Sequence, residues 1–402
     1  MTTVLINAYA CAPNKGSEPG MAWNWIIHLG KHCQLHVITE GEWREDIEKA
    51  LPTIPQGKNI RFYYNPVSDK IRKMCWNQGD WRFYYYYRRW QKETHQLAKE
   101  IIVQNKIDLL HQLNMVGYRE PGLLWKNQRI PTIWGPVGGF GQVPITFLSL
   151  YTPFGAVKQI IKHIINCFQI YSPNIYKAIK KMDAIVACNS EARLALQKFR
   201  SDIVYHIHEV GSFNNNQHET RDLTFFFEPL RLLWIGRNIE SKALRLAIES
   251  FNRLSDLNVE LHIIGVSSES VNYEIRNNNV HFYSWLPHQE TQDLFRKGHL
   301  LFFTSLYEAT GTVILESLSI GVPILCHDTC GQGDIVDNSC GIKIPLENPK
   351  RSIEEFCKAI REVNKNRALL KQMSEGAYKK SKEVSWKRNV EKMLDIYKNT
   401  LK

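Results

Sequence analysis

Twice along this chain, short uninterrupted apolar runs alternate with longer stretches of helical periodicity, and that rhythm restricts the fold more than any single residue does. In the first half the strand-like runs are 4–10, 35–39, 60–64, 107–113, 132–134 and 184–188; in the second they are 232–235, 259–264, 280–285, 300–304 and 323–326. Strands that read as continuous apolar runs belong in parallel sheets covered by helices on both faces. With 402 residues, the chain also exceeds the size at which a single core keeps growing. The polar segment NNNQHETRD (214–222) separates the halves. The expected architecture is therefore α/β, with two doubly wound, Rossmann-like domains facing each other across a cleft. The first covers 1–212 and the second 223–384. A terminal amphipathic helix over 385–402 is followed by no strand.

Composition removes several alternatives. Nine cysteines are scattered, odd in number and never spaced as CxxC, which reads as reduced thiols of a cytosolic protein and not as a disulfide frame. Cys326, His327 and Cys330 lack a second ligand pair at zinc spacing, so no metal is expected there. The N-terminus enters a strand without a basic region and apolar run, so no signal peptide is expected. Residues 130–157 carry no charge, yet Pro131, Pro136, Pro144 and Pro153 interrupt them, which excludes a spanning helix. The expected location is cytoplasmic.

The net charge of +11 is unevenly spread. Residues 1–200 hold 26 Lys/Arg against 14 Asp/Glu, and 201–402 hold 25 against 26. From Lys70 to Lys92, seven basic residues accompany Asp80 as the only acid, interleaved with Trp76, Trp81, Tyr84 to Tyr87 and Trp90. No nucleic-acid module signature accompanies them, so nucleic acid is not an expected partner. Two readings stand: a solvated helix whose tyrosines pack inward, or a peripheral contact with anionic membrane, whose head groups attract each nearby Lys or Arg by about 1 kcal/mol. The stretch 156–171, AVKQIIKHIINCFQIY, is amphipathic and basic; a core-facing helix has the same pattern and is the favoured reading.

Each half opens with a glycine-bearing loop. In AYACAPNKGSEPGMAWNWI, Gly16 and Gly20 bracket three residues before a helix, so backbone can approach a ligand there; the GxGxxG dinucleotide fingerprint is absent. In LLWIGRNIESKALRLAIESF, a strand ends in Gly236-Arg237 and Lys242 begins the next helix. Two cations beside a strand end and a helix N-terminus make a diphosphate clamp. In SLYEATGTVILESLSIGVPIL, a buried strand leads through a loop into a mostly apolar helix carrying Glu316. A carboxylate there needs donors, because an unpaired buried charge costs several kcal/mol, and the hydroxyls of a ribose supply two. The amides of Gly311 and Thr312 can face an anion, in the crevice where open parallel sheets bind ligands.

These motifs in this order, GRNIESK (236–242) and EATGTVILE (308–316) followed by SIGVPILCHDTCGQGDIV, resemble those of the retaining GT-B glycosyltransferases, specifically glycosyltransferase family 4. CAPNKGSEPGMAWNW, IDLLHQLN and IWGPVGG in the first half look like a bacterial polysaccharide-associated branch. The resemblance implies a nucleotide-diphosphate sugar donor, UDP- or GDP-linked, in the second domain. Arg237 and Lys242 would hold its diphosphate, Glu316 the ribose and Glu308 the sugar. Amides around Thr310, Gly311 and Thr312 would meet phosphate or sugar. Gly236 would line the clamp, and the segment 285–287, with Leu286, would border the base. Gly16 would face the donor from the first domain, and the terminal helix would cross back onto that domain. Two departures stand out: Ala243 follows Lys242 where glycine is usual, and Gly135 stands where many relatives have a histidine near the reacting sugar. His111, at the end of the preceding strand, is the candidate to act in its place.

The chemistry follows from the clamp. Cleavage at the anomeric carbon builds negative charge on the leaving diphosphate, which Arg237 and Lys242 would stabilise. No DxD-type carboxylate cluster accompanies them, so no metal or other cofactor is expected. The expected activity is metal-independent, retaining transfer to a glycan or lipid-linked acceptor in cell-surface polysaccharide synthesis. The alternatives are a GT-B sugar-nucleotide epimerase and a catalytically silent glycan-binding subunit.

Overall fold

The computed structural model describes the whole chain except residues 78–79, 128, 214–227 and 285, with the side chain of 288 also left out. The segment 214–222 and Trp285 thus lie outside the described residues. The chain divides into two compact units. The first comprises 1–140, 166–210 and 386–402, and the second 141–165 and 211–385. The expected boundary near 212 therefore describes the chain only in part, because 141–165 groups with the second unit.

The first unit contains β1 (Thr3–Ala8), α1 (Ser17–Leu29), β2 (Gln34–Thr39), α2 (Arg44–Ala50), β3 (Ile60–Tyr64), α3 (Asp69–Trp76), α4 (Arg82–Gln104), β4 (Leu109–Asn114) and β5 (Thr132–Val137). After α5 (Pro153–Gln169) come α6 (Pro173–Lys181), β6 (Ala184–Ala187), α7 (Ser190–Gln197) and β7 (Val204–His206). Its seven strands are parallel in the order β3-β2-β1-β4-β5-β6-β7. The second unit holds β8 (Leu230–Ile235), α8 (Leu244–Phe251), β9 (Val259–Ile264), β10 (Val280–Tyr283), α9 (His288–Lys297), β11 (Leu300–Phe303) and α10 (Thr312–Ile320). It continues with β12 (Ile324–His327), α11 (Cys330–Ile335), β13 (Gly341–Ile344), α12 (Pro349–Lys365) and α13 (Ala368–Glu383). Its six parallel strands run β10-β9-β8-β11-β12-β13. In both sheets the order reverses beside the first strand, which gathers the loops leaving the carboxyl ends of the central strands.

The cores follow the apolar runs. β1 and β4 are buried almost throughout, and Val4, Ile6, Leu109 and Leu113 pack with Trp25 and Ile26 of α1. The last helix, α14 (Trp386–Thr400), completes this cluster: Trp386 meets Trp25 edge-on at 5.6 Å and stacks on His28, while Val390, Met393 and Tyr397 are buried. In the second unit, Leu232, Trp234, Leu261, Phe302 and Phe356 form the centre. No helix among the described residues is long and apolar enough to cross a membrane.

Two elements bear on readings that the sequence left open. The 70–92 cluster is largely neutralised within the chain: Arg72 pairs with Glu40, Arg82 with Asp80, Arg88 with Glu120 and Arg89 with Glu93. Phe83, Tyr87 and Trp90 pack inward, whereas Trp81 and Tyr85 stay exposed. The other is α5, which departs from its favoured core-facing reading. Its Ile161, Ile164, Ile165 and Phe168 are more than half exposed, and Asn166 is its only buried residue.

Buried histidines make stability depend on pH. In the first unit, burial lowers both His28 and His111 to about 4, so each is neutral in the fold and takes up a proton on unfolding below about 6.5. Their folded pKa values lie below the unfolded ones, so stability is full at neutral pH and is lost as pH falls from about 6.5 towards 4, by about 1.4 kcal/mol at pH 5.5 for the wholly buried His111 and by less for the partly exposed, solvent-screened His28. Urea denaturation followed by tryptophan fluorescence is expected to show this loss, and His28→Gln is expected to shrink it.

Candidate functional site

The second sheet brings most of the expected donor residues to one edge. β8 delivers Gly236 and Arg237, β10 leads to Leu286, and β11 runs into the loop carrying Glu308 to Gly311. That loop is tied to the one after β8 by a buried hub. The Thr304 hydroxyl accepts from Trp234 Nε1 at 2.9 Å and lies 2.8 Å from the Lys242 carbonyl, to which it donates; Leu306 N donates to Ser241 O at 2.9 Å. With the backbones fixed, the Lys242 ammonium donates directly to Glu308 Oε1, both side chains being about one-fifth exposed. The same ammonium lies 5.5 Å from the centre of the Phe303 ring. Sequence reasoning gave these two residues separate ligand groups, whereas the structure makes them each other's partner. An ammonium has three protons and a carboxylate several lone pairs, so the pair keeps capacity for a ligand on both sides. Arg237, five residues before Lys242, is exposed.

Gly311, with φ of +89°, begins α10 without a side-chain cap. Thr310 is wholly buried while Thr312 is exposed. Of the three amides expected to meet a ligand, those of Gly311 and Thr312 are thus the ones near the surface. Glu316 sits on the second turn of α10, half-buried among Ile314, Leu315 and Leu318. Gly331 holds the loop from behind: its amide donates to Glu308 O at 3.2 Å, and a Cβ on it would lie 1.9 Å from Ala309 O. Ala243, which follows Lys242 where a glycine was expected, is left-handed (φ +49°), a region in which a Cβ is strained and glycine is not.

In the first unit the structure corrects the role expected of His111. Its side chain is wholly buried, with Nε2 2.7 Å from Gly135 O and Nδ1 2.5 Å from the Tyr397 hydroxyl. A carbonyl only accepts, so Nε2 carries the proton and Nδ1 accepts from Tyr397. Both nitrogens are engaged, and burial lowers the ring to about 4; His111 anchors β5 and α14 and has no nitrogen left to offer a substrate. Gly135, where a histidine was looked for, has φ of +132°, and a Cβ would meet Val186 O at 2.2 Å. No side chain fits there. Gly16 precedes α1 with ordinary extended geometry and open space around its Cα, whereas Gly20, inside the helix, is required by the Lys15 carbonyl at 1.8 Å from any Cβ.

One titratable group escaped the sequence reading. Glu18, in the first turn of α1, accepts from the Val116 amide at 3.1 Å, and desolvation raises its carboxyl to about 7. The only sequence signal was an acid following a glycine loop, which is common at helix starts.

Residues 216–380 match the glycosyl transferases group 1 family. An uncharacterised 41.2 kDa protein in the cps region of Klebsiella pneumoniae is 23% identical over 128 residues, 32% of this chain and 36% of that protein. The chain matches only about a third of the length of the curated relatives it resembles. Among solved structures, WaaG, a glycosyltransferase involved in lipopolysaccharide biosynthesis, is 18% identical with a TM-score of 0.62, covering 98% of this chain and 99% of its own. Alr3699/HepE of Anabaena, in complex with UDP and glucose, is 12% identical with a TM-score of 0.58, covering 99% and 100%. The chain thus has the GT-B fold, and the match to the glycosyl transferases group 1 family falls within its second unit.

Proposed function

We propose that this chain is a metal-independent, retaining glycosyltransferase of family 4. It moves a sugar from a UDP- or GDP-linked donor to a glycan or lipid-linked acceptor in cell-surface polysaccharide synthesis. The observation that carries this reading is the Lys242–Glu308 pair at the carboxyl edge of the second sheet, with Arg237 on the same loop and Glu316 one helical turn beyond Gly311 and Thr312. The UDP and glucose held by Alr3699/HepE and the cps setting of the Klebsiella relative support the donor class and the pathway class.

In this mechanism Arg237 and Lys242 bind the diphosphate and stabilise the charge that develops as the anomeric C–O bond breaks, the preorganised electrostatic contribution worth about 3–4 kcal/mol per donor. Glu308 orients Lys242 and the sugar hydroxyls. Glu316 accepts from the ribose. The acceptor hydroxyl attacks the face that the leaving group vacates and passes its proton to the departing phosphate oxygen, so retention needs no enzyme nucleophile. Lys242→Ala is a poor first test, because it leaves Glu308 without its cation.

Glu316→Gln is expected to weaken nucleoside diphosphate and nucleotide sugar alike by calorimetric titration, since both carry the ribose; unchanged affinity overturns its ribose role. Arg237→Ala is expected to lower kcat as well as affinity, because its contact strengthens as the leaving group gains charge. EDTA is expected to leave the wild-type rate unchanged. Product analysis separates transfer from epimerisation.

A further inference from the structure

Glu260, His262 and His281 meet on the second sheet, and among the described residues they form a group whose ligand atoms all lie within 4.8 Å of one another. The register brings them together. Residues two apart in a strand share a face, which sets Glu260 and His262 of β9 side by side, and His281 is the cross-strand partner of His262 on the edge strand β10. The opposite face of β9, with Leu261 and Ile263, is the one that joins the core. His281 is exposed, whereas the Glu260 and His262 side chains are 25% and 12% exposed. Glu260 and His281 are each the second residue of their strand, away from the carboxyl edge where the loops of Arg237 and Glu308 begin.

Two imidazoles and one carboxylate are a ligand set for zinc that keeps a fourth position for water. With metal bonds of about 2.0–2.1 Å, the edge of a zinc tetrahedron measures about 3.3 Å, and His262 Nε2 lies 3.3 Å from Glu260 Oε2. His281 stacks on His262 with ring centres 4.8 Å apart, and from its exposed position it closes the remaining gap by side-chain rotation. The other nitrogen of His262 is already held, Nδ1 lying 3.1 Å from the Tyr283 hydroxyl. Metal-bound imidazoles are ordinarily fixed through their second nitrogen in this way. A hydroxyl accepts as readily as it donates, so a change of tautomer alone turns the Nε2 lone pair towards a metal. Arg231 also reaches Glu260, with Nε 3.3 Å from Oε2, but its Nη2 is 2.6 Å from Glu228 Oε2. The guanidinium therefore keeps a partner when Glu260 takes up a cation.

The first sheet provides an internal control. At its edge β2 and β3 repeat the histidine–tyrosine contact, His36 Nδ1 lying 2.9 Å from the Tyr63 hydroxyl. There, however, the cross-strand partner of His36 is Arg61, and the residue two before it is Gln34. The contact with tyrosine is thus a way of finishing a sheet edge; the second sheet adds an imidazole and a carboxylate in the places of Arg61 and Gln34, and those are the groups that suit a metal.

We propose that Glu260, His262 and His281 bind one divalent metal ion of the zinc class, which staples the edge strand β10 to β9. The role is structural and independent of the transfer chemistry proposed at the carboxyl edge of the same sheet.

The test titrates zinc chloride calorimetrically into the full chain after EDTA treatment and dialysis. Wild type is expected to take up one zinc per chain and, at saturating metal, to melt roughly 5 °C higher, because a ligand held only by the folded state stabilises it. His281→Ala, which removes an exposed side chain, is expected to weaken zinc by roughly tenfold or more and to lose the shift; Glu260→Gln is expected to do the same, and His36→Gln to bind as wild type does. Cobalt(II) in place of zinc is expected to show d–d bands without a thiolate charge-transfer band. No zinc uptake by wild type, unchanged affinity in His281→Ala, or a thiolate band, which places the ion on cysteines, overturns the site. Zinc uptake without a melting shift overturns the staple. UDP is expected to bind wild type equally with and without zinc; a difference overturns the independence of this site from the donor chemistry.

Discussion

The Thr304 hydroxyl, wholly inside the second unit, accepts from the Trp234 indole and donates to the Lys242 carbonyl. Through it the exits of β8 and β11, far apart in sequence, are fixed against each other, and everything proposed for the donor site depends on that spacing. A buried hydroxyl with both partners satisfied is cheap to keep and costly to disturb, about 1–3 kcal/mol for each group left unpaired. Because the backbones meet there, Lys242 and Glu308 pair on top of them, and a fixed ion pair at a sheet edge is a site whose polarity exists before any ligand arrives.

The first unit uses the same device for a different end. His111 sits among β4, β5 and α14 as a neutral imidazole with both nitrogens committed. Its partner is the carbonyl of Gly135, the residue with no room for a Cβ. The histidine and the glycine are therefore parts of one packing solution: the ring fills the space between the strands, and the glycine lets the neighbouring strand approach.

The strands were legible because burial on both faces writes a continuous apolar run, and each expected run coincides with an observed strand to within a few residues. β7 and β13 were not, being only three and four residues long and interrupted by His206 and Lys343. The loops proposed to hold the donor were legible at strand ends, but the Lys242–Glu308 contact was not, since nothing in a sequence announces a pairing across 66 positions. His111 was misread because a strand-end histidine looks the same whether its nitrogens face solvent or neighbours. For α5 the periodicity correctly marks an apolar face, yet periodicity has no direction: it says that a face exists and not what covers it.

The return of α14 to the first unit also has a consequence for the order of synthesis. Trp386, Val390, Met393 and Tyr397 complete a core begun by Val4 and Trp25, so the ribosome finishes the second unit before it releases the residues that close the first. Until then Trp25 lacks one neighbour and His111 lacks the hydroxyl on its Nδ1. Domains usually mature from the N-terminus onwards; here the earlier-made unit waits for the later one. A truncation or frameshift near residue 386 would accordingly damage the half of the protein most distant from it in sequence, leaving the fold of the second unit behind.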